Sequence, residues 1–342
     1  MDTPTEPFAP LNDTELAVPV GGTLCVILPA LNEEATLGEV IDRIPAIDGL
    51  EVKVIVVNDG STDRTPEIAL EKGAQVISHS RPRGVGAAFH SGIEAALEAG
   101  ADYVVNIDSD GQFSPEDIPK LLEPVRRGEA DFATCSRFKD KALVPQMPVV
   151  KRFGNAAVAW IVSSLIGKRF YDVACGFRAF HADAVMRLNL FGEFTYTQET
   201  FIDLAFKGLK IVEVPLKVRG EREYGESRVA SSILRYAKNT SRIILSTFKD
   251  YRPFTFFFAL SGLFGTPGLG LASFFVWHFL STGHFSPHLW AGFLSGALLG
   301  TSLVFLVIAI TVESHARLRL TLERTLYFQK KQYYEGLRSN RP

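Results

Sequence analysis

Asp108, Asp110 and Gln112 stand at alternate positions near the end of the stretch Val104–Phe113. In extended backbone alternate side chains share a face, so all three can point the same way. Two carboxylates and an amide oxygen form a hard-oxygen set suited to Mg²⁺ or Mn²⁺, ions that keep coordination positions for substrate phosphates. The same residues also read as a polar turn ahead of a helix, since Ser114-Pro115-Glu116-Asp117 is a good helix start. A motif this short does not choose between the two readings. Two further polar turns, Asn32-Glu33-Glu34 and Asn58–Asp63, each follow an apolar run. Taken singly, each reads as turn plus cap, with Asn32 capping the helix that follows it.

The elements around these turns decide how they meet. Short apolar runs at Leu24–Leu28, Val52–Val57, Val76–Ser78, Val104–Ile107, Phe132–Ser136 and Lys210–Val214 read as strands. Helical patterns alternate with them, ending near Ile44 and covering Ala87–Ala99, Val149–Ile166 and Gln198–Phe206. Such alternation predicts a mostly parallel sheet with helices on both faces. Ligands of such sheets bind outside the carboxyl ends of the strands. The acidic turns after strands one, two and four are therefore expected on one edge, with Asp59, Asp108 and Asp110 as neighbours. Convergence of that kind favours a site over three unrelated turns. Arg137 closes the fifth strand, and Arg81–Gly86 is a basic, glycine-containing loop.

A chain of 342 residues suffices for one large domain or two small ones, and a net charge of -2 excludes a strongly basic nucleic-acid binder. Cys25, Cys135 and Cys175 are far apart in sequence and form no C-x-x-C pair. That spacing argues against a zinc site or a disulfide framework and fits small buried apolar residues in a reducing compartment. Residues 1–22 are polar and proline-containing, without a basic segment followed by an apolar core, and read as a flexible leader rather than a signal peptide.

The second half has a different solvent. Residues 229–252 show an amphipathic pattern in which Ile233, Leu234, Ala237, Ile244, Leu245 and Phe248 recur near helical spacing, with Arg235, Lys238, Arg242 and Lys249 between them. A basic amphipathic helix of this kind lies at a membrane interface. Two uncharged apolar segments follow, Phe254–Leu280 and Leu289–Val312. A bilayer core of about 30 Å needs roughly 20 helical residues, so each is long enough to span, and residues 253–313 are expected as a transmembrane hairpin. Lys249 and Arg252 precede the hairpin, Arg317, Arg319, Arg324, Lys330 and Lys331 follow it, and the connector Ser281–His288 has neither Lys nor Arg. The positive-inside rule then places the first domain and both termini in the cytoplasm, in a multi-pass protein of the inner (plasma) membrane with a basic tail over residues 314–342. Gly292, Gly296 and Gly300 recur at four-residue spacing and allow close helix packing, within the hairpin or between copies in a homo-oligomer. Val149–Ile166, with Lys151, Arg152 and Asn155 near its start and Trp160 on its apolar side, reads either as an ordinary surface helix or as a membrane-facing one presenting cations to an anionic head group.

Seven segments in order carry a family resemblance: L-P-A-L-N-E-E, V-N-D-G-S-T-D-R-T, D-S-D-G-Q-F, C-S-R-F, C-G-F-R-A-F, K-I-V-E-V-P and R-E-Y-G-E-S-R. The chain resembles the inverting family-2 glycosyltransferases of GT-A fold, and within them the polyprenyl-phosphate sugar synthases, which include the dolichol-phosphate mannose synthases and bacterial bactoprenol glucosyltransferases. The likeness covers residues 23–228 and extends to the amphipathic helix and hairpin of the bacterial members. It implies an α/β GT-A domain that moves a hexose from a UDP- or GDP-sugar to a polyprenyl phosphate with a divalent metal. By position it implies that Pro29, Leu31, Glu33 and Asp59 cradle the base and ribose, that Asp108 lies near ribose and metal, and that Asp110 and Gln112 bind the ion. It implies further that Arg137 reaches the donor phosphate or the acceptor, that Arg222 and Arg228 close over the diphosphate, and that Lys151 and Asn155 hold the acceptor phosphate. Asn58, Lys151 and Arg228 depart from the residues most often found at their positions, which bears on sugar and nucleotide specificity.

The chemistry is coherent on its own terms. Transfer from a nucleotide donor must stabilise a departing diphosphate, and a metal with one or two arginines supplies fixed positive charge where negative charge grows. A lipid phosphate is already an anion at neutral pH, so no strong general base is needed, and no Ser-His-Asp arrangement is evident among the seven histidines. Glu199 reads as orienting a cation or a loop. Three rivals are weaker. A processive polysaccharide synthase would carry Q-x-x-R-W, but Trp160, Trp277 and Trp290 each follow a residue other than arginine. A non-catalytic sugar-nucleotide-binding membrane scaffold would have no use for the acidic cluster. A hydride-transferring Rossmann enzyme would show G-x-G-x-x-G after the first strand.

Overall fold

The computed structural model describes residues 21–189, 196–219, 249 and 252–339. Arg222, Arg228, most of the 229–252 amphipathic segment and nearly all of the 1–22 leader lie outside the described residues.

The first unit holds residues 1–244 and 325–342. Among the described residues its centre is a seven-stranded sheet, β1 (Gly22–Ala30), β2 (Leu50–Asn58), β3 (Gln75–Ser78), β4 (Tyr103–Asn106), β5 (Phe132–Ser136), β6 (Arg178–His181) and β7 (Ile211–Pro215), in the order β3-β2-β1-β4-β6-β5-β7. The helices are α1 (Leu37–Asp42), α2 (Thr65–Glu71), α3 (Val85–Glu98), α4 (Ile118–Arg126), α5 (Val149–Ile166), α6 (Ala182–Arg187) and α7 (Thr197–Phe206). Leu24 through Leu28 have no exposed surface, as an apolar run between two helical layers requires. Leu24, Val26 and Leu28 pack with Leu37, Val40, Ile41, Leu121 and Leu122. On the opposite face Gly92 of α3 lies so close to Ile27 that a Cβ there would come within 2.4 Å of it. Full burial of each such side chain contributes about 1.5–3 kcal/mol, which fixes the first strand as the spine of the unit.

The sheet is mixed. β1 pairs in parallel with β2 and β4, β2 with β3, and β5 with β7. β6 runs antiparallel to both of its neighbours, β4 and β5. Sequence pattern missed this strand, since Arg178-Ala179-Phe180-His181 is short and carries a charge at its head. The reversal has a consequence for chemistry. The carboxyl ends of β1, β2, β4 and β5 share one edge with the amino end of β6, so the Cys175-Gly176-Phe177-Arg178 turn arrives where the acidic turns do.

The second unit holds residues 245–324. Its helices α8 (Pro253–Thr282) and α9 (Leu289–Ser339) are long and apolar enough to cross a membrane. Ser261 and Ser302 exchange hydroxyl-to-carbonyl bonds, each 2.9 Å, between the two helices. Gly292 packs on Phe275, where a Cβ would meet the ring at 2.9 Å, whereas a Cβ on Gly296 or Gly300 would meet nothing within 4 Å. The residues from 314 onward, expected as a basic tail, continue α9 as helix to Ser339.

The end of that helix, counted with the first unit, is docked on it. Tyr327 donates its hydroxyl to Asp183 under the Arg187 guanidinium, Lys330 reaches the Leu188 carbonyl at 3.2 Å, and Arg338 pairs with Asp102 at 3.0 Å.

Candidate active site

Three turns at the carboxyl edge of the sheet are stitched to one another by short polar side chains. Ser109, between the two aspartates, donates to the Pro29 carbonyl at 2.8 Å and accepts at its own carbonyl from Thr36 at 2.8 Å. The Asn32 backbone amide donates to Ser61 at 2.9 Å, and its side-chain oxygen accepts from the Thr62 amide at 2.7 Å. Asn32 does not cap α1, as its sequence position suggests. It adopts φ 51°, a left-handed conformation that asparagine tolerates, and bridges to the second turn instead. The helix starts later, at Leu37, and the Thr36 hydroxyl is diverted to Ser109.

Asp59 is buried, 4% exposed, and its carboxylate fastens the basic loop. Oδ1 accepts from the Arg83 amide and Oδ2 from the Gly84 amide, both at 2.8 Å. Gly60 beneath it has φ 76°, and a Cβ there would strike the Arg81–Pro82 backbone at 2.8 Å, so the loop's close approach requires glycine. His79 stands 2.7 Å from Asp59 through Nδ1 and 3.0 Å from the Ser91 hydroxyl through Nε2. Sequence reading found no Ser-His-Asp arrangement, and the fold assembles one in hydrogen-bond order. Its aspartate is turned toward loop amides, so the chain serves to fasten the loop rather than to activate a nucleophile. No spacing signal in the sequence links His79 or Ser91 to Asp59.

Within the acidic turn Asp110 is buried, 3% exposed, and Oδ1 accepts from the Gln112 amide at 3.0 Å. Asp108 lies against the backbone of Gly176, where a Cβ would fall 2.8 Å from its Oδ2. The Gln112 carbonyl accepts from the Arg219 amide at 3.0 Å, which ties the chain leading toward Arg222 to the acidic turn. Pro29, Leu31 and Glu33 line the first turn, half-buried. Among the described residues no three His, Cys, Asp or Glu side chains gather as a ready metal cage. Two carboxylates and one amide oxygen on a turn match a hard cation that completes its coordination with phosphate oxygens.

Arg137 emerges from the end of β5 on the same edge. Its Nε and Nη2 donate to Asp172 at 2.6 and 2.9 Å, a two-point clamp on a carboxylate with no exposed side-chain surface. Burial opposes the Arg137 charge, but the Asp172 carboxylate more than restores it and holds the guanidinium above its ordinary range. Glu213 on β7 stands behind the pair. It accepts from the Tyr171 and Asp172 amides at 3.0 and 2.8 Å, and burial pushes its carboxyl above the usual range. Sequence reading singled out neither Asp172 nor Glu213 for a role. Glu213 lies within the K-I-V-E-V-P segment and Asp172 just before C-G-F-R-A-F, but their relation to Arg137 needs the pairing of β5 with β6 and β7.

Cys135 and Cys175 meet in the core although they are distant in sequence. A hydrogen bond to Cys175, with burial, raises the Cys135 thiol, so the pair is inert rather than nucleophilic. Lys151 and Asn155 sit one helical turn apart on α5, Lys151 exposed and Asn155 half-buried. The apolar side chains of that helix split between two faces. Ala159 and Val162 are buried, whereas Val149, Phe153 and Trp160 are 81%, 76% and 71% exposed. Glu199 is 8% exposed in the first turn of α7.

The family model described as "Glycosyl transferase family 2" matches residues 25–191. The undecaprenyl-phosphate mannosyltransferase of Micrococcus luteus is 31% identical over 221 residues, covering 61% of this chain and 88% of that protein. The dolichyl-phosphate hexose transferase of Haloferax volcanii is 34% identical over 196 residues, covering 57% of this chain and 82% of the relative. Among solved structures, glucosyl-3-phosphoglycerate synthase of Mycobacterium tuberculosis, crystallised with Mn²⁺, uridine diphosphate and phosphoglyceric acid, superposes with a TM-score of 0.55 at 28% identity, covering 68% of this chain and 80% of that one.

Proposed function

The chain belongs to glycosyl transferase family 2 with a GT-A domain, and from that premise we propose that it transfers a hexose from a UDP- or GDP-sugar to a polyprenyl phosphate, with inversion and with a divalent cation. The observation that carries the proposal is the shared edge: the Asp108–Gln112 turn and the Arg137 guanidinium issue from the carboxyl ends of β4 and β5.

Asp108, Asp110 and Gln112 would hold Mg²⁺ or Mn²⁺, which when bound neutralises the diphosphate that leaves the sugar. Pro29, Leu31, Glu33 and Asp59 receive the nucleoside, with Asp59 kept in place by the loop amides and His79. Arg137 offers its remaining donor, Nη1, to a phosphate of donor or acceptor. Arg222 and Arg228 are assigned the same task from the sequence, and Arg219, bonded to Gln112, leads the chain toward them. The acceptor phosphate attacks as the anion it already is, so the chain needs to orient it rather than deprotonate it. Lys151 and Asn155 are suited to that. Their helix carries exposed Phe153 and Trp160, side chains at home where a lipid chain meets water.

The two long apolar helices support a membrane location. The Lys and Arg distribution around them supports a cytoplasmic transferase domain. The contacts of Tyr327, Lys330 and Arg338 with that domain support the same side for the chain before and after the hairpin.

The test is transfer of labelled sugar from UDP-glucose, UDP-galactose and GDP-mannose to undecaprenyl phosphate in detergent, with Mn²⁺ or with EDTA. One labelled lipid product, lost with EDTA, is the expected result. Full turnover in EDTA would overturn the metal assignment, and nucleotide binding without any lipid product would overturn the acceptor.

A further inference from the structure

The segment Tyr171–Arg178 connects the two halves of the site, and both of its ends are held by buried charge. At the first end the Glu213 carboxylate accepts from the Tyr171 and Asp172 amides at 3.0 and 2.8 Å. Asp172 in turn grips Arg137 at three points, Nε at 2.6 Å, Nη2 at 2.9 Å and the backbone amide at 3.1 Å. At the other end Arg178, with no exposed surface, donates to the carbonyls of Cys175 at 2.8 Å, Val173 at 3.3 Å and Thr197 at 2.8 Å. Its guanidinium lies among the rings of Phe132, Tyr196 and Phe201, at 5.4, 5.4 and 5.2 Å. Between the anchors, Gly176 presents bare backbone to Asp108. A Cβ there would fall 2.8 and 2.9 Å from the two carboxylate oxygens. The Gly176 carbonyl is fixed from behind by Asn106 at 2.9 Å.

A buried arginine is costly unless its donors are used. Arg178 spends Nε and Nη2 on the backbone of this one turn and on the start of α7, rather than on a carboxylate, while Nη1 is buried without a hydrogen-bond partner. A surface or core filler would not need this arrangement. It makes sense for a loop whose position must be held at both ends.

We propose that residues 171–178 form a positioning loop that fixes the Arg137 guanidinium and the Asp108 carboxylate relative to one another, with Asp172, Glu213 and Arg178 as positioning residues that touch no substrate. The inference rests on the reading that Arg137 and Asp108 serve the phosphate-bearing substrates. A rigid link matters because catalytic groups must be held to a fraction of an ångström for charge stabilisation to act on the transition state.

The experiment uses the full chain in detergent. Asp172→Asn keeps shape and removes the counter-charge of Arg137; kcat is expected to fall about tenfold with the donor KM near its original value. The double variant Arg137→Ala/Asp172→Asn should then be no slower than Arg137→Ala alone, because both changes remove one unit. Glu213→Gln, which leaves both partners in place, should show the same kcat loss and carries the test if Asp172→Asn does not fold. At the other end, Gly176→Ala should weaken Mn²⁺-dependent UDP or GDP binding in a calorimetric titration about tenfold, with no further loss when combined with Asp108→Asn. Additive losses in both pairs, or unchanged kcat and unchanged nucleotide binding, would overturn the proposal. A wild-type protein that binds Mn²⁺ and nucleotide but makes no lipid product would defeat the acceptor reading alone, and the titration would still decide the loop's hold on Asp108.

Discussion

The acidic turn and the arginine pocket lie on the same edge of the sheet but are built in opposite ways. The turn at Asp108–Gln112 is held by backbone and hydroxyl bonds to neighbouring strand ends, through Ser109, Thr36 and Asn32. Under the proposed function its carboxylates would also meet a cation that arrives with substrate. The pocket around Arg137 is held by charge against charge, Asp172 clamping the guanidinium and Glu213 fixing Asp172. Removing a functional group should therefore have different consequences in the two places. For the turn's carboxylates it should cost chiefly catalysis, and in the pocket it should cost catalysis and folding together.

The largest expected effect tests the first half of that contrast. Asp110→Ala should abolish turnover and lower the melting temperature only slightly, since the turn is held chiefly by Ser109, Thr36 and Asn32. A large drop in melting temperature would show the turn to be structural. Arg137→Ala comes next. It should lower kcat by roughly 10²-fold, as expected for a lost transition-state donor. It should also destabilise the fold by a few kcal/mol (roughly 3), because Asp172 is left buried without its counter-charge. A variant as stable as wild type in denaturant titration would erase the distinction between the two regions. His79→Ala removes the side chain that props Asp59, and should raise the donor KM several-fold while kcat holds; a kcat loss with unchanged KM would move Asp59 out of the nucleoside pocket. The smallest effect belongs to Ser109→Ala, which deletes one bond to Pro29 and should cost about 1 kcal/mol of stability with near-normal turnover.

Legibility from sequence divides along the same line. Strands β1, β2, β4 and β5 could be read because each is a short run dominated by apolar and β-branched residues, and their boundaries moved by two residues or fewer in the structure. The acidic turns could be read because their polar residues lie close together in the chain directly after a strand. Asp172 and Glu213 could not, since nothing in their local pattern distinguishes a buried clamp from a solvated charge. Arg178 was visible only as part of the C-G-F-R-A-F segment, because the strand it opens is four residues long and polar at both ends. The residues from 314 onward read as a basic tail, since Tyr327, Lys330 and Arg338 resemble surface side chains until their partners at Asp183, Leu188 and Asp102 are known.

By itself the sequence determined the α/β alternation, the two long apolar segments, the glycosyltransferase assignment and the acidic turn at Asp108–Gln112. All of these depend on residues close together in the chain, where periodicity and spacing act directly. Only the tertiary structure decided that one strand runs backwards, that its opening turn backs Asp108, and which carboxylate holds Arg137. A buried charge takes whichever partner the fold brings within about 3 Å, and strand order and direction set that choice rather than spacing along the chain.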